Sequence, residues 1–450
     1  MDHYNSTNGN VKLTWRERIA FGQLDLAGLL VYNMITVYLS YFLTDVAMIP
    51  VGIAGIIMII ARVVDALDAP VWGILIDRTN SKWGKARPYF LWVIFPFTIF
   101  SILLFSVPDW SLNAKIIYFT LTYVLTNILY TGLNTPLITI LPLLTSNPKE
   151  RLTLNSIRLS IAQIGVLIVN VFALPMIQFF GNGNEIVGFR WTIIILAITG
   201  LLLTLYSFAN IKERIKPNTA KISIKQSFKA IKGNWPWLLI ILSNLLFWTG
   251  QTTRSSTLIY YLKYNYGDQN IISLVNGLSI LQVITTVIVP LLSIKLLKRT
   301  IWMYGLVFLI LGQFIILLAN NTLFIIIIGW IIGSLGVGFA LSAPFVLIGS
   351  AVEYGEWKTG IKAAGLLTAF GTTFCTKLGT GIGGALPTQI MSIFGYTAGK
   401  SQSVSGLVGI QISFIWIPII AFALSIIPLI FYKKYEKLES QINSDLNLKN

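Results

Sequence analysis

The chain has 450 residues, of which 55% are hydrophobic and only 11% are charged, and its mean hydropathy is +0.75. A soluble protein carries about 25% charged residues, so this composition excludes a water-soluble globular protein and predicts that lipid is the main solvent. The net charge of +16 falls in loops between apolar segments, where membrane topology explains it without a nucleic-acid partner.

Reactive side chains are scarce in the sequence. Cys375 is the single cysteine and His3 the single histidine, which excludes an intrachain disulfide, a metal site built on several thiolates and a buried imidazole. There is no phosphate-binding motif, catalytic triad or metal-ligand spacing. We therefore expect a protein that is not an enzyme and that needs no cofactor.

Long apolar segments recur along the whole chain. An α-helix crosses a bilayer core with about 20 apolar residues, and with that window the sequence predicts twelve membrane spans. Those of the first half cover residues 18–44, 50–76, 88–107, 115–144, 156–180 and 188–210. Those of the second half cover residues 236–263, 271–296, 301–319, 322–350, 361–394 and 409–432.

The loops between these spans alternate in charge. Of the 33 lysines and arginines, 25 fall on one side of the predicted membrane and four on the other. Because basic loops face the cytoplasm, we predict that both termini are cytoplasmic, which requires an even number of spans.

A polar segment at residues 211–235 divides the chain near its middle. It predicts an N-terminal six-helix bundle at 1–210, a cytoplasmic central loop, a C-terminal six-helix bundle at 236–432, and a solvated cytoplasmic tail at 433–450. Two such halves are typical of an all-α membrane protein with a major-facilitator-type fold of 12 transmembrane helices, in which the site lies between the bundles.

The second predicted span contains Arg62, Asp65 and Asp68 at intervals of three residues, so that each adjacent pair shares a helical face. A charged side chain at mid-bilayer costs about 2.5–3.5 kcal/mol. Two neighbouring carboxylates in a dry site also need a proton, a metal cation or an arginine. This predicts a functional cation site; the alternative is a static Arg62–Asp65 pair that only tightens helix packing.

Further polar side chains lie at membrane depth, namely Asp25, Asn127, Tyr130, Thr131, Asn134, Arg158, Arg254 and Lys377. Lys377 has no charged neighbour in the sequence, so we expect its counter-ion on another helix, with an acid of the second span as the natural partner. A lysine that reaches the membrane interface is the alternative. For Asn127 and Asn134, a hydrogen bond between helices is the alternative to ligand contact.

Several segments, spread over nearly the whole chain, form recognisable motifs. They are Tyr41–Val46, Arg62–Ala66 with Pro70, Gly73–Tyr89, Asn134–Pro136, Asn155–Arg158, Glu353–Gly360 and Lys377 with the glycines after it. With these motifs the chain resembles the glycoside–pentoside–hexuronide:cation symporters, the group that includes the bacterial melibiose permease. The segment Gly73–Tyr89 alone indicates only the wider superfamily, whereas its combination with Glu353–Gly360 is specific.

The resemblance implies secondary transport of a glycoside, pentoside or hexuronide together with Na⁺, Li⁺ or H⁺ by alternating access. It implies a cation site at Asp65 and Thr131, to which Asp68, the other acid of the second span, is added as a second acid. The residues expected around the sugar are Tyr130, Asn134, Arg158 and Lys377, to which the polar residues Asp25 and Arg254 of the spans are added.

Coupling and gating are predicted for Arg62 and for the loop at 77–87. Through Asp77, Arg78 and Arg87, this loop is expected to make charged contacts that hold the cytoplasmic side shut. The alternative is that its charges only set the membrane topology.

The chain also departs from the melibiose permease. Ala69 stands where the permease has its second cation-site acid, and Asp68 precedes it, rotated by about 100° around the helix. Leu29 and Asn134 stand at the permease's sugar-binding acids, and Ile138 stands at its stacking tryptophan. These departures predict a sugar other than melibiose and leave both Na⁺ and H⁺ as coupling ions.

The expected partners are therefore a small sugar, a coupling cation and the lipid bilayer. We expect a monomer in the inner (plasma) membrane of a bacterium. Three other interpretations compete with sugar transport: a carrier of lysolipids or other amphiphiles on the same fold, a sensor without transport, and a membrane-embedded enzyme that uses Asp65 and Asp68 as an acid pair.

Overall fold

The computed structural model describes residues 13–145, 147–215, 233–268, 270–292, 296–319, 322–360, 367–368 and 370–447. Within these residues the protein is helical, apart from one isolated β-bridge between Ser81 and Gly84. The chain divides into two compact units, Met1–Thr219 and Ala220–Asn450. Most of the predicted central loop and the start of the eleventh predicted span lie outside the described residues.

In the described part of the N-terminal unit there are seven helices. They are α1 (Trp15–Tyr41), α2 (Val51–Arg78), α3 (Arg87–Trp92), α4 (Ile94–Leu104), α5 (Leu112–Leu144), α6 (Pro148–Gly181) and α7 (Glu185–Asn210). A capping box formed by Thr14 and Glu17 begins α1, and a π-helical turn at Phe42–Val46 extends it. Helix α1 packs against α6 and α7, while α2 packs against α5.

Eight helices of the C-terminal unit lie within the described residues. They are α8 (Trp235–Tyr260), α9 (Ile272–Gly277), α10 (Ile280–Leu292), α11 (Lys298–Leu317), α12 (Leu323–Thr359), α13 (Cys375–Ile393), α14 (Val404–Gln411) and α15 (Ile417–Asn447). π-Helical turns extend α8 through Tyr261–Tyr266, precede α13 at Phe370–Phe374 and join α14 to α15 at Ile412–Trp416. Helix α8 packs against α13 and α15, and α11 against α12.

Nine helices of the described residues are long and apolar enough to cross a membrane. They cover Trp15–Val46, Arg87–Leu104, Leu112–Leu144, Thr153–Gly181, Glu185–Asn210, Ile272–Val289, Lys298–Leu317, Leu323–Leu341 and Val404–Glu436. Each coincides with a predicted span. The other three predicted spans contain α2, α8 and α13, which are not among these nine. The count of twelve and the cytoplasmic termini stay predictions.

Two predicted spans differ in shape from the structure. The third is interrupted at Val93, between α3 and α4; Pro96 lacks the N–H that would bond to the carbonyl of Trp92, so the helix is locally irregular. The tenth does not end near residue 350, because α12 continues to Thr359. Gly360, with φ of 70°, then ends the helix in the left-handed conformation that glycine favours.

The prediction of a solvated tail at 433–450 is wrong for its described part. Helix α15 continues from the membrane span to Asn447, and Tyr435 and Ile442 on it are buried. The Tyr435 hydroxyl donates to the carbonyl of Ser350, and Trp357 Nε1 donates to Asp445 Oδ2 at 2.9 Å. The tail is therefore a helix packed on the end of α12.

Glycines allow α11 and α12 to approach each other closely. A Cβ at Gly312 would lie 2.5 Å from the carbonyl oxygen of Gly329, and a Cβ at Gly305 would lie 2.7 Å from that of Gly336. Such distances leave no room for a side chain, so the two backbones are in direct contact. Small residues serve this purpose in membrane helices, where close packing takes the place of the hydrophobic effect.

Candidate functional site

Helices α2 and α5 meet closely beside the charged residues of the second span. The indole Nε1 of Trp72 donates to the carbonyl of Ile128 at 2.9 Å. Gly132 provides the space for this ring, because a Cβ at Gly132 would lie 2.6 Å from Trp72 Cζ2. This contact fixes the separation of the two helices on which Asp65 and Thr131 stand.

Asp65 is buried at the α2–α5 contact. One of its oxygens, Oδ1, accepts a hydrogen bond from the Thr131 hydroxyl at 3.1 Å, and the other, Oδ2, lies 3.4 Å from Arg62 Nη1. The same Arg62 nitrogen donates to the hydroxyl of Tyr32 on α1 at 3.1 Å. Asp68, one turn along α2, is also buried. The structure thus brings together Arg62, Asp65 and Thr131.

A row of polar residues continues from Thr131 along one face of α5. Tyr123, Asn127 and Thr131 are four residues apart, so they stand above one another on the helix. The Thr131 hydroxyl also lies 3.2 Å from the carbonyl of Asn127, and Asn127 Nδ2 donates to the carbonyl of Tyr123. Within the described part of the chain, the buried Asn127 Oδ1 has no hydrogen-bond partner.

Such a buried orphan oxygen is costly, because an unmade hydrogen bond leaves about 1–3 kcal/mol of desolvation uncompensated. Next to Asp65 it offers an additional oxygen ligand to a cation or a water molecule. No group of three or more His, Cys, Asp or Glu side chains suited to a metal ion occurs among the described residues. The oxygens in contact at this point of the structure are those of the Asp65 carboxylate and the Thr131 hydroxyl.

A second charged pair lies on α1 and α6. Arg158 Nη1 is 3.5 Å from Asp25 Oδ2, and their side chains are only 16% and 11% exposed. Tyr130 lies near this pair, since it interacts electrostatically with both Asp25 and Arg158. Gly28, one turn beyond Asp25 on α1, leaves room for the Tyr130 ring, which comes within 3.1 Å of a Cβ placed at Gly28.

Tyr130 is joined to the acid site through Tyr32. The rings of Tyr32 and Tyr130 are stacked, with centroids 4.3 Å apart and planes inclined by 11°. Asn134 follows Tyr130 by one turn of α5 and is partly buried. The N-terminal unit therefore contains the residues predicted for the sugar side and those predicted for the cation side in one connected cluster.

The two remaining predicted substrate residues belong to the C-terminal unit. Arg254 is fully buried, with its guanidinium 3.6 Å from the centroid of the Trp330 ring and its Nε 3.4 Å from Gln313 Oε1. It is thus held in the packing between α8, α11 and α12. Lys377 is partly buried on the first turn of α13.

The predicted gating residues make contacts within the N-terminal unit. Arg87 donates from Nε and Nη2 to the carbonyl of Phe208 at 3.0 and 2.8 Å. Glu213 accepts the backbone N–H groups of Lys85, Ala86 and Arg87 at 2.8–2.9 Å, which satisfies the donors at the start of α3. Arg78 is exposed. The side chain of Asp77 lies outside the described part of the chain.

Sequence reasoning did not identify Tyr32 or Glu213, and for Asn127 it left ligand contact and a hydrogen bond between helices both open. Tyr32 has no distinguishing signal, because aromatic residues are common throughout these spans. Glu213 is a loop residue whose partners lie more than 120 positions earlier. The spacing of 123, 127 and 131 was the available signal for Asn127, since it places three polar groups on one helical face.

Comparisons with known proteins agree with this fold. The family model for MFS/sugar transport proteins matches residues 20–435. The isoprimeverose transporter of Lactiplantibacillus pentosus is 40% identical over 97% of this chain and 92% of its own length. The inner membrane symporter YicJ of Escherichia coli strain K12 is 30% identical over 92% of this chain and 91% of its own length. The crystal structure of the nucleoside transporter NupG, 14% identical, superposes with a TM-score of 0.66 over 93% of this chain and 98% of its own.

The apolar helices of the described residues, the family match and the related transporters define a multi-pass membrane transport protein rather than an enzyme. More specifically, the chain belongs to the family of MFS/sugar transport proteins, and its resemblance to the glycoside–pentoside–hexuronide:cation symporters is confirmed.

Proposed function

We propose that the protein is a sugar:cation symporter of a bacterial plasma membrane. The observation that carries the proposal is the charge of the cluster in the N-terminal unit. Three buried or nearly buried aspartates, Asp25, Asp65 and Asp68, stand against two arginines, Arg62 and Arg158. With all five ionised, the cluster has a net charge of −1, which one monovalent cation neutralises.

The cation binds at Asp65, with Asp68 as the second acid and Thr131 as a neutral ligand. Hard cations prefer oxygen ligands, and the Asp65 carboxylate, the Thr131 hydroxyl and the orphan Asn127 Oδ1 supply them. The same carboxylates can instead take up a proton. Na⁺, Li⁺ and H⁺ therefore remain the candidate coupling ions, and no other cofactor is required.

The sugar binds beside the Asp25–Arg158 pair. A carboxylate accepts and a guanidinium donates hydrogen bonds, which suits the hydroxyl groups of a sugar, while the Tyr130 ring offers a flat apolar face and Asn134 an amide. Isoprimeverose, the sugar named for the Lactiplantibacillus pentosus relative quoted above, is the first to test. Lys377 and Arg254 are kept as additional substrate residues of the C-terminal unit.

Transport follows alternating access, in which the loaded site opens to one side of the membrane at a time. The cation drives sugar uptake only if the sugar binds better when the cation is present, because a ligand shifts an equilibrium through differential affinity. The membrane potential adds about 2.3 kcal/mol per elementary charge per 100 mV. We propose twelve spans, both termini in the cytoplasm, a monomer as the working unit, and gating contacts by Asp77, Arg78 and Arg87.

Uptake into proteoliposomes tests the proposal. Purified protein is reconstituted, and uptake of radiolabelled isoprimeverose is measured under an imposed Na⁺ gradient and, separately, under an imposed pH gradient. Accumulation under one of the gradients is expected and identifies the coupling ion. Accumulation under neither gradient, or uptake of a lysolipid in place of the sugar, would contradict the proposal.

Asp65→Asn should abolish accumulation and leave downhill flux, because the variant cannot bind the cation. Asp45→Asn is the matched control. Asp45 is also buried and also accepts a hydrogen bond from a threonine hydroxyl, that of Thr44 at 2.8 Å, but it lies at the end of α1 in a different contact. Accumulation that survives in Asp65→Asn would remove Asp65 from the cation site.

A further inference from the structure

Tyr32 occupies an unusual position, because it contacts both the cation side and the sugar side of the N-terminal cluster. Its hydroxyl accepts a hydrogen bond from Arg62 Nη1 at 3.1 Å. Its ring stacks on Tyr130 at a centroid distance of 4.3 Å. It stands on α1, whereas Arg62 stands on α2 and Tyr130 on α5.

These contacts close a ring of interactions. Arg62 reaches Asp65 at 3.4 Å, and Asp65 accepts from Thr131 at 3.1 Å. Thr131 follows Tyr130 directly on α5, and the Tyr130 ring stacks on the ring of Tyr32, which completes the circle of contacts. A displacement of the Arg62 guanidinium must therefore be accommodated by Tyr32, whose hydroxyl is rigidly attached to the stacking ring.

We infer that Tyr32 is a positioning residue that transmits cation binding at Asp65 to the sugar site. This inference rests on the proposed symport. A cation at Asp65 competes with Arg62 for the carboxylate, so Arg62 loses one of its two acceptors and depends on the Tyr32 hydroxyl. The ring then settles on Tyr130 in the orientation that receives the sugar. Without the cation, Arg62 divides its hydrogen bonds between Asp65 and Tyr32. The stacked rings of Tyr32 and Tyr130 then lack the orientation that receives the sugar.

The distance pattern supports this competition. The Arg62–Asp65 contact of 3.4 Å is longer than the 2.7–2.9 Å of a strong charge-assisted hydrogen bond. The Arg62–Tyr32 contact from the same nitrogen is the shorter of the two, at 3.1 Å. Arg62 is thus already shared between its partners and is not locked to the acid.

Tyr32→Phe separates the two contacts, because it removes the hydroxyl and keeps the stacking ring. The probe is the sugar that the wild type transports. Its affinity for the purified protein is measured once with a saturating concentration of the coupling ion and once without that ion. When two ligands are coupled, the affinity for one typically changes by about 5–150-fold when the other is bound, and here this is the ratio of the sugar affinities with and without the coupling ion. In Tyr32→Phe this ratio of affinities should fall to about one, while downhill sugar flux persists.

Two variants make the comparison specific. Tyr41→Phe removes another hydroxyl from α1, one that donates to Glu185, and should leave the affinity ratio at the wild-type value. Tyr32→His keeps a flat ring with a nitrogen acceptor and should retain more of the ratio than Tyr32→Phe. It also gives a second comparison if thermal unfolding shows that the phenylalanine variant is not folded.

The outcomes separate the two levels of the proposal. A wild-type protein whose sugar affinity does not depend on any of the cations contradicts the symport itself. A wild-type protein that shows the dependence, together with an unchanged ratio in Tyr32→Phe, overturns only the role of Tyr32. An equal loss of ratio in Tyr32→Phe and Tyr41→Phe would also overturn it, because the effect would not depend on Arg62.

Discussion

The Thr131 hydroxyl lies 3.1 Å from Asp65 Oδ1, and this hydrogen bond joins α5 to α2 at a carboxylate that is almost inaccessible to solvent. The same hydroxyl lies 3.2 Å from the carbonyl of Asn127. Since a hydroxyl has one hydrogen, it can donate to only one of these acceptors at a time. In the proposed cation-bound state, the hydroxyl can turn its hydrogen to the carbonyl and present a lone pair to the ion.

Thr131→Val tests this relationship with little change in side-chain shape. It removes the oxygen lone pair that the hydroxyl would present to the ion, and an interaction of a neutral polar group with a charged one contributes about 1.5–3 kcal/mol. The cation concentration for half-maximal sugar uptake should therefore rise by about 10- to 100-fold. Thr131→Ser keeps the hydroxyl and should remain close to the wild type. A normal cation requirement in Thr131→Val would show that the hydroxyl is not a ligand.

Asn127 supplies a second prediction. Its Nδ2 donates to the Tyr123 carbonyl, which identifies the other amide atom as the buried orphan oxygen. Asn127→Ala should weaken cation binding without changing sugar affinity at saturating cation, and Asn127→Asp should restore cation binding by placing a carboxylate there. The measurement is the cation dependence of sugar uptake in proteoliposomes.

The C-terminal unit provides a matched control for Asn127. Asn244 is equally buried, its Nδ2 donates to the carbonyl of Gly371 at 2.8 Å, and its Oδ1 also lacks a hydrogen-bond partner within the described residues. Asn244→Ala therefore removes a similar group far from Asp65 in the sequence. If both alanine variants changed the cation dependence equally, Asn127 would have no special role.

The sequence predicted the elements of the fold better than their contacts. Apolar length marked nine segments that the structure shows as helices long and apolar enough to cross a membrane, because lipid selects for such length directly. The basic charge of the tail predicted a solvated segment. The spacing of Tyr435, Leu438 and Ile442, which places three apolar residues on one helical face, indicates the packed helix instead.

For the site, too, the sequence predicted individual residues better than the contacts between them. The free-energy cost of a charged side chain at membrane depth identified Asp25, Asp65 and Arg158 one by one, because this cost does not depend on knowing the partner of the charge. It could not pair Asp25 with Arg158, which lies 133 positions later, or Arg62 with Tyr32 on another helix. Such pairs depend on how helices dock, and apolar periodicity carries no information on the partner of an individual side chain.

The contact between α11 and α12 gives a prediction for stability. Gly312→Ala would place a Cβ 2.5 Å from the carbonyl oxygen of Gly329 and 2.8 Å from the nitrogen of Gly333, so the helices must separate. Overpacking of this kind costs about 1–3 kcal/mol, and the thermal unfolding midpoint in detergent should fall. Gly349→Ala, on α12 with open space around it, should leave the midpoint unchanged or slightly raised. Equal midpoints for the two variants would contradict the close contact.

The Asp25–Arg158 pair allows packing to be separated from sugar binding by a double-mutant cycle. Asp25→Asn and Arg158→Gln each leave a mostly buried charge without its partner, which should cost about 3 kcal/mol of stability. The double variant leaves neither charge and should recover most of that loss, as seen in thermal unfolding. If the pair binds the sugar, sugar uptake stays lost in the double variant although its stability returns. If uptake returned together with stability, the pair would only hold α1 against α6, and the sugar site would have to lie elsewhere.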